Sequence, residues 1–150
     1  MSGRRTNAAK FIGLISDTHG LLRPEAARAL EGAGLILHAG DVGKAAVLAQ
    51  LANVAPVVAV RGNVDADEWP ERVTVEPGIL MLHDVKELGP VPAGIRAVVS
   101  GHSHKASVVE RGGVLYVNPG AAGPRRFRLP VSVGRLYVAE WRVEIVELAV

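Results

Sequence analysis

The sequence contains no cysteine among its 150 residues. This absence excludes disulfide bonds, thiolate zinc sites and cysteine nucleophiles, so any metal site must use nitrogen and oxygen ligands. No apolar run approaches the roughly 18–20 residues that a membrane-spanning helix needs. The formal net charge is only +2, which does not by itself imply a polyanionic partner.

What the chain does contain is typical of a globular protein, with 49% hydrophobic and 21% charged residues. Its length predicts one domain over residues 10–150, preceded by a flexible tail at residues 1–9. The first ten residues are polar and lead into no apolar signal-peptide segment. We therefore expect a cytoplasmic protein without membrane association.

The first half of the chain alternates between strand and helix patterns. Short apolar runs predict strands over residues 11–15, 35–37 and 56–60. Helices are predicted between them, one beginning at Pro24 and one over residues 44–51. Such alternation favours right-handed βαβ units and a largely parallel sheet.

After Trp69-Pro70 the pattern becomes mainly β. Prolines and glycines in residues 85–94 predict a loop with at most one short helical turn. The remaining strands are predicted over residues 73–75, 79–82, 97–100, 108–110, 114–117, 131–138 and 141–148.

Side chains that bind metals follow the ends of several predicted strands. Sites in parallel α/β sheets form outside the carboxyl ends of the strands, so these side chains are expected to converge. Four imidazoles, two carboxylates and one amide are too many ligands for one six-coordinate ion that keeps a water, but they suit two ions sharing a bridging carboxylate. Mn²⁺, Fe²⁺, Zn²⁺ and Ni²⁺ all accept such mixed ligands. The seven residues are Asp17, His19, Asp41, Asn63, His83, His102 and His104.

The motifs carrying these residues resemble, in order and spacing, those of the calcineurin-like metallophosphoesterases. A further motif, Asn118-Pro119-Gly120, looks like the branch of small prokaryotic phosphodiesterases that also includes the scaffold subunit of retromer. The resemblance spans roughly residues 11–123 and implies an α/β fold, a four-layer α-β-β-α sandwich of two mixed sheets. It places the strands from about Val73 in the second sheet. The other motifs are Asp17-Thr18-His19, Gly40-Asp41, Gly62-Asn63, His83 and Gly101-His102-Ser103-His104.

The resemblance also implies how the ligands divide. One divalent transition-metal ion would be held by Asp17, His19 and His104. The other would be held by Asn63, His83 and His102, and Asp41 would bridge the two. We expect Mn²⁺, with Ni²⁺, Fe²⁺ or Zn²⁺ as alternatives. A hydroxide between the ions would attack a small phosphodiester in line, with Asp41, His102 and Asn63 as the catalytic residues.

Two features depart from the family pattern. Val64 stands where many members have a histidine credited with protonating the leaving group, so we hypothesise a preference for good leaving groups. The segment between His83 and Gly101 is short, although relatives usually carry a helix there. A substrate wall on that side is therefore expected to be open or missing.

Two other functions remain open. The first is a non-catalytic interaction scaffold on the same fold, in which metal serves structure alone. The second is a nuclease, in which Arg125, Arg126 and Arg128 hold a backbone, although a solvated loop is the better interpretation of this cluster. A homo-oligomer is possible, and nucleic acid is not the expected partner.

Several single residues have two interpretations each. His38 orients a ligand or is a buried, hydrogen-bonded strand residue. Asp65 is an acceptor behind the site or a cap, and Asn118 shapes the site or, as we favour, only a turn. Arg61 is expected in a surface ion pair rather than on a phosphate. Trp69 and Trp141 are expected in the core or an interface.

Overall fold

The structure is a computed structural model that describes residues 11–65, 69–126 and 128–150. The predicted tail at residues 1–9 lies outside the described residues. Within the described ranges the chain forms two five-stranded mixed sheets, two α-helices and one 3-10 helix. The elements are β1 (Ile12–Ile15), α1 (Pro24–Ala29), β2 (Leu35–His38), α2 (Ala45–Leu51), β3 (Val57–Ala59), β4 (Arg72–Val75), β5 (Ile79–Leu82), the 3-10 helix (Val85–Glu87), β6 (Ala97–Val99), β7 (Ser107–Arg111), β8 (Val114–Asn118), β9 (Ser132–Tyr137) and β10 (Arg142–Glu147).

The first sheet has the order β10-β9-β1-β2-β3, and β1, β2 and β3 run parallel to one another. Both predicted helices are confirmed, and α1 begins at Pro24, whose fixed φ suits the first helical turn. They bury Ala26, Val47 and Leu51 in a cluster with Ile15 and Ile36. No helix in the described part of the chain is long and apolar enough to cross a membrane.

The second sheet has the order β4-β5-β6-β8-β7, with β5, β6 and β8 parallel. Its inner face packs on the first sheet through a shared apolar cluster that includes Leu14, Leu37, Met81, Val99 and Leu136. The predicted two-sheet α/β fold is confirmed, and each predicted strand is present within a residue or two at its ends.

The last two strands correct one expectation. The resemblance placed all strands from about Val73 in the second sheet, but β9 and β10 belong to the first. β9 pairs antiparallel with β1, and Leu14 lies opposite Gly134 in the register. A hydrophobic pattern reports that a segment is a strand, but it does not report its pairing partner more than a hundred residues away.

The outer face of the second sheet carries no α-helix in the described ranges. The short 3-10 helix and the loop that follows it cover part of this face instead. They close a small cluster of Leu80, Leu82, Ile95 and Val98, against which Leu88 and Tyr116 are partly buried. This thin layer leaves a groove on the outer face, beside the carboxyl ends of the strands.

Candidate metal centre

The backbone adopts unusual conformations where the predicted ligands lie. Among described residues other than glycine, six have φ in the left-handed region. This conformation costs an L-residue roughly 1–2 kcal/mol, and such strain concentrates at functional sites. Trp141 is the sixth residue, and the other five are Asp17, His19, Asp41, His102 and His104.

Backbone hydrogen bonds hold the β1 and β2 loops together in these conformations. The N–H of Asp17 donates to the carbonyl of Gly40, and the N–H of His19 donates to the carbonyl of Asp41, both at 2.9 Å. The parallel ladder of β1 and β2 thus continues beyond the strands, and it brings the two carboxylates side by side.

Two glycines allow the remaining loops to approach the carboxylates. A Cβ atom at Gly62 would collide with the backbone N and the carboxylate of Asp41. A Cβ at Gly101 would collide with the hydroxyl of Ser16 and lie 2.7 Å from Oδ2 of Asp17. The glycines preceding Asn63 and His102 are therefore required for close packing rather than for turn flexibility.

One group of donor atoms surrounds the carboxylate of Asp17. Its Oδ1 lies 3.5 Å from Nε2 of His104 and 3.8 Å from Nε2 of His19. Donor atoms of these three residues all lie within 4.8 Å of one another. The arrangement matches the first ligand set that the resemblance implied.

A second group of donor atoms lies on the other side of the carboxylates. Nε2 of His83 lies 3.3 Å from Oδ2 of Asp41 and 3.9 Å from Oδ1 of Asp17. The same Oδ2 of Asp41 lies 3.6 Å from Nε2 of His19. Asp41 therefore stands between imidazoles of the two groups, and Asp17 belongs to both.

His102 and Asn63 extend the second group towards solvent. Nδ1 of His102 lies 3.1 Å from Oδ1 of Asn63, and the ring of His102 meets that of His83 edge-on at 5.2 Å between centroids. The His102 side chain is 45% exposed. The structure thus brings all seven predicted residues to one sheet edge, with His102 and Asn63 at its open side.

Four buried polar atoms in this cluster have no hydrogen-bond partner within the described residues. A buried polar atom without a partner costs roughly 1–3 kcal/mol. A cluster of such atoms therefore indicates that a bound group satisfies them. The mixed nitrogen and carboxylate donors fit a divalent transition metal. The atoms are Oδ1 of Asp17, Nε2 of His19, Nε2 of His83 and Nδ1 of His104.

The tautomer of His83 suits metal binding. Its Nδ1 lies 2.8 Å from the carbonyl oxygen of Ala39, so Nδ1 carries the proton and donates it. The lone pair of the neutral ring is then on Nε2, which faces the carboxylates. Burial alone would lower the pKa of His83, but the adjacent carboxylate of Asp41, the hydrogen bond to Ala39 and the carboxylate of Asp17 together outweigh burial and raise it.

The two carboxylates have pKa values shifted in opposite directions. Burial raises the pKa of Asp17 above its ordinary value, although Ser16 donates to its Oδ2 at 2.6 Å and the N–H of His102 donates at 3.0 Å. Burial also acts to raise the pKa of Asp41, but the adjacent imidazole of His83 and a hydrogen bond from the N–H of Val64 outweigh it and lower the pKa. A cation would therefore compete with a proton mainly at Asp17.

His38 supports the loops through hydrogen bonds to Gly40 and Thr18. It is fully buried, its Nδ1 accepts the N–H of Gly40, and its Nε2 lies 3.0 Å from the hydroxyl of Thr18. That hydroxyl donates to the carbonyl of Val42. Burial lowers the pKa of His38 to about 4, which keeps the ring neutral. The interpretation as a buried, hydrogen-bonded residue at the end of a strand is confirmed.

Asp65 is the acceptor that joins the loops after β2 and β3. Its carboxylate accepts the N–H groups of Val42, Gly43 and Gly62 at 2.9–3.0 Å. It thereby fixes the backbone on both sides of Asp41. This matches the first of its two interpretations.

Asn118 does more than shape a turn, contrary to the favoured interpretation. Its Oδ1 accepts the N–H of Gly120, which is the expected turn bond. Its Nδ2 also donates to the carbonyl of Gly101 and the hydroxyl of Ser103, at 2.9 and 3.1 Å. The side chain therefore anchors the loop that carries His102 and His104. The sequence could not separate this role from a turn, since asparagine before proline and glycine is ordinary turn chemistry.

The other residues singled out in the sequence lie where the favoured interpretations placed them, in ion pairs, in the core or on the surface. Arg61 pairs with Glu71 at 3.3 Å. Trp69 and Trp141 pack against the two main apolar clusters. The three arginines of the cluster are exposed, and Arg125 donates to the carbonyl of Leu129.

A polar cleft of about 320 Å³ adjoins Asn63 and His83. Its other walls are mainly charged side chains, among them the paired Arg61 and Glu71. Arg72, also in the wall, donates to the carbonyls of Glu87 and Leu88. The cleft gives small polar molecules access to the second group of donor atoms.

Two sheets thus carry, at one shared edge, carboxylates and imidazoles that fit a divalent metal ion. The family model of the calcineurin-like phosphoesterase superfamily domain matches residues 11–140. A probable metallophosphoesterase of Methanothermobacter thermautotrophicus is 33% identical over 132 residues, covering 74% of this chain and 76% of the relative. The chain belongs to the calcineurin-like phosphoesterase superfamily.

Solved structures share the fold. A structure described as a novel archaeal phosphodiesterase superposes with a TM-score of 0.79 and 22% identity, covering 92% of this chain and 99% of that one. Vacuolar protein sorting 29 from Cryptosporidium parvum superposes with a TM-score of 0.70 and 21% identity, covering 91% and 95%. The family and the donor cluster support a metal-dependent phosphoesterase.

Proposed function

We propose that the chain is a phosphodiesterase that binds two divalent ions, with Mn²⁺ as the working metal. The observation that carries the proposal is the cluster of two carboxylates and facing imidazoles, in which Oδ1 of Asp17 and Nε2 of both His19 and His83 are buried without a hydrogen-bond partner among the described residues. A purely structural polar cluster would satisfy these atoms with protein hydrogen bonds. The likeness to an archaeal phosphodiesterase supports diesters as the substrate class.

The proposed ligands divide as the sequence resemblance implied. Asp17, His19 and His104 hold one ion, and Asn63, His83 and His102 hold the other. Asp41 lies between them, with one carboxylate oxygen within 3.6 Å of both His19 and His83. Ions bound there would lower the pKa of a water, neutralise phosphoryl charge and orient an in-line displacement.

The chain itself positions these groups in advance. The N–H of Val64 donates to Oδ1 of Asp41 at 3.1 Å, which leaves Oδ2 for a cation. Ser16 and the backbone of His102 hold Oδ2 of Asp17 in the same way, so that Oδ1 faces the site. His102 and Asn63 lie at the open side and meet the substrate first.

No histidine stands at position 64 to protonate a leaving group. The Val64 side chain is 57% exposed at the site's rim, and it has no proton to give. We propose that water protonates the leaving group and that the enzyme prefers diesters with acidic alcohols or phenols. The cleft beside Asn63 would give water access to the leaving group.

An interaction scaffold is the second candidate function. The likeness to vacuolar protein sorting 29 favours it, because the two folds overlap along more than nine-tenths of each chain. On this alternative the cluster would bind metal without turning over a diester.

Hydrolysis of bis(p-nitrophenyl) phosphate separates the two candidates. Protein stripped by a chelator receives Mn²⁺, and the p-nitrophenolate released is compared between the wild type and Asp41→Asn. The phosphodiesterase predicts turnover that requires Mn²⁺ and falls at least about 10²-fold in the variant. Metal binding without turnover, with Mn²⁺, Ni²⁺, Zn²⁺ or Fe²⁺, would favour the scaffold.

A further inference from the structure

A second groove lies beside the metal centre, on the outer face of the second sheet. Its volume is about 500 Å³, within the range of about 300–1,000 Å³ usual for small-molecule sites. The segment from Asp84 to Gly89 forms one wall, and the β7–β8 hairpin forms the other. Gly101, His102 and Ser103 form one end, so the groove opens directly onto a proposed metal ligand.

One face of the hairpin lines the groove. Ser107, Val109 and Arg111 of β7 are lining residues, whereas the alternate residues Val108 and Glu110 are not. In the antiparallel register Val109 lies opposite Tyr116, which also lines the groove. The alternation of side chains along a strand therefore builds a wall with apolar and aromatic surface at its centre.

The groove carries a cationic side chain on each of its two walls. Lys86 projects from one wall and Arg111 from the other, and both are exposed. The guanidinium of Arg111 lies 5.2 Å from the ring centre of Tyr116. Asp84 is the one acidic residue among the described lining residues, and its carboxylate lies near His102 at the metal end.

We propose that this groove binds the non-reacting arm of the diester, and that this arm is an aromatic ring bearing an anionic substituent. The proposal rests on the proposed function, since the phosphorus must lie at the metal centre for an arm to enter here. The ring would lie against Val109 and Tyr116. Its anionic group would lie between Lys86 and Arg111, where charge-assisted hydrogen bonds are available from both walls.

The cleft on the other side of the centre does not suit such an arm. Its described walls are charged or polar except for Gly62 and Leu82, and Arg61 and Glu71 pair with each other across it. The groove beside His102 combines apolar surface with cationic side chains of both walls. The chemistry of the two openings therefore assigns the aromatic arm to the groove.

The test uses three diesters with the same p-nitrophenolate leaving group. The other arm is methyl, phenyl or 4-carboxyphenyl, so the series adds first the ring and then the anion. The enzyme carries Mn²⁺, and kcat/KM is measured for each diester. In parallel, calorimetry measures the affinity of the Mn²⁺-loaded protein for 4-carboxyphenyl phosphate and for methyl phosphate, which needs no turnover.

Val109→Asp and Val108→Asp form a matched pair of variants. The two valines are 42% and 41% exposed on opposite faces of the same edge strand, and only Val109 lines the groove. We expect Val109→Asp to lower the preference for phenyl over methyl about tenfold. Val108→Asp should leave that preference unchanged. Replacing Lys86 and Arg111 together by glutamine should lower the preference for 4-carboxyphenyl over phenyl about threefold to fivefold.

The outcomes distinguish this proposal from the proposed function. Turnover with equal effects of the two valine variants would overturn the groove and leave the phosphodiesterase in place. Absent turnover, with binding of 4-carboxyphenyl phosphate weakened only by Val109→Asp, would overturn the phosphodiesterase while supporting the groove as a site for an anionic aryl group. A wild-type dimer that only Val109→Asp dissociates would show that a second copy occupies the groove, and the proposal would fail.

Discussion

Acidification should destabilise the protein through protonation of the buried His38. Its ring is neutral in the fold, because Nδ1 accepts the N–H of Gly40 and because burial keeps water from solvating a charged ring. His38→Asn removes the titrating group and places an amide oxygen near the position of Nδ1. The substitution therefore isolates the pH effect while an acceptor for Gly40 is kept.

The magnitude follows from the pKa of His38, which burial lowers from 6.5 to about 4. Between these values the unfolded chain binds a proton that the folded chain does not, so the free energy of unfolding falls as the pH falls. Each pH unit costs at most about 1.4 kcal/mol. Integrated to pH 4, where the folded ring is half protonated, the loss is about 3 kcal/mol relative to neutral pH.

The assay is urea unfolding of wild type and His38→Asn, with a chelator present, at several values between about pH 7.5 and pH 4. Asp17, Asp41 and His83 titrate in both proteins, so their contributions largely cancel in the difference. The stability difference between wild type and variant should change by about 3 kcal/mol across this range, in favour of the variant as the pH falls.

A constant difference between the two proteins would refute the reasoning. It would mean that His38 is protonated in the fold, or that water reaches it. A protonated ring could not accept the N–H of Gly40 at Nδ1. The account of how the β1 and β2 loops are held would then be wrong as well.

Three further substitutions probe other parts of the site. Val64→His should raise kcat/KM about tenfold or more for diesters with poor leaving groups, measured against bis(p-nitrophenyl) phosphate, because it supplies the absent general acid. Gly101→Ala should weaken Mn²⁺ binding in calorimetry, because its Cβ displaces Ser16 and the carboxylate of Asp17. Asp65→Asn should lower the free energy of unfolding by about 1–3 kcal/mol in urea, because its amide turns donors towards backbone N–H groups.

Each of these predictions has a clear contrary result. An unchanged ratio between poor and good leaving groups in Val64→His would show that leaving-group protonation does not limit the rate. Wild-type Mn²⁺ affinity in Gly101→Ala would show that Asp17 is not a ligand or that the loop yields freely. Wild-type stability of Asp65→Asn would show that water replaces the three backbone bonds.

The sequence predicted the elements of this fold well because its local signals agree with one another. Pro24 marks the start of α1, Pro77-Gly78 separates β4 from β5, and the double glycine at residues 112–113 closes a hairpin. The sequence also predicts residues 85–94 as a loop with at most one short helical turn, and the structure has one 3-10 helix, Val85–Glu87, at the start of this segment.

The sequence did not reveal how the last strands pair. β9 returns to lie beside β1, where Gly134 faces Leu14 across the ladder. That pairing depends on long-range packing in the first sheet rather than on the pattern of residues 132–137. Pairing between strands so far apart in the sequence cannot be predicted from the residue pattern and becomes visible only in the three-dimensional structure.

The candidate ligands were predictable, but much of what holds them was not. Ligands lie directly after strands and are imidazoles, carboxylates or amides, so position and chemistry both mark them. Asn118 anchors the histidine loop through a side chain whose turn role is equally plausible from sequence. Asp65 and Thr18 act through backbone groups, whose positions no residue pattern reports.

The central claim is tested most directly by titrating chelator-stripped protein with Mn²⁺ while following hydrolysis of bis(p-nitrophenyl) phosphate. The account predicts that the rate rises with added metal and reaches its plateau at two equivalents per chain. A rate that stays at background while calorimetry shows two ions bound would contradict the phosphodiesterase. A plateau at one equivalent would contradict the division of the seven ligands between two ions.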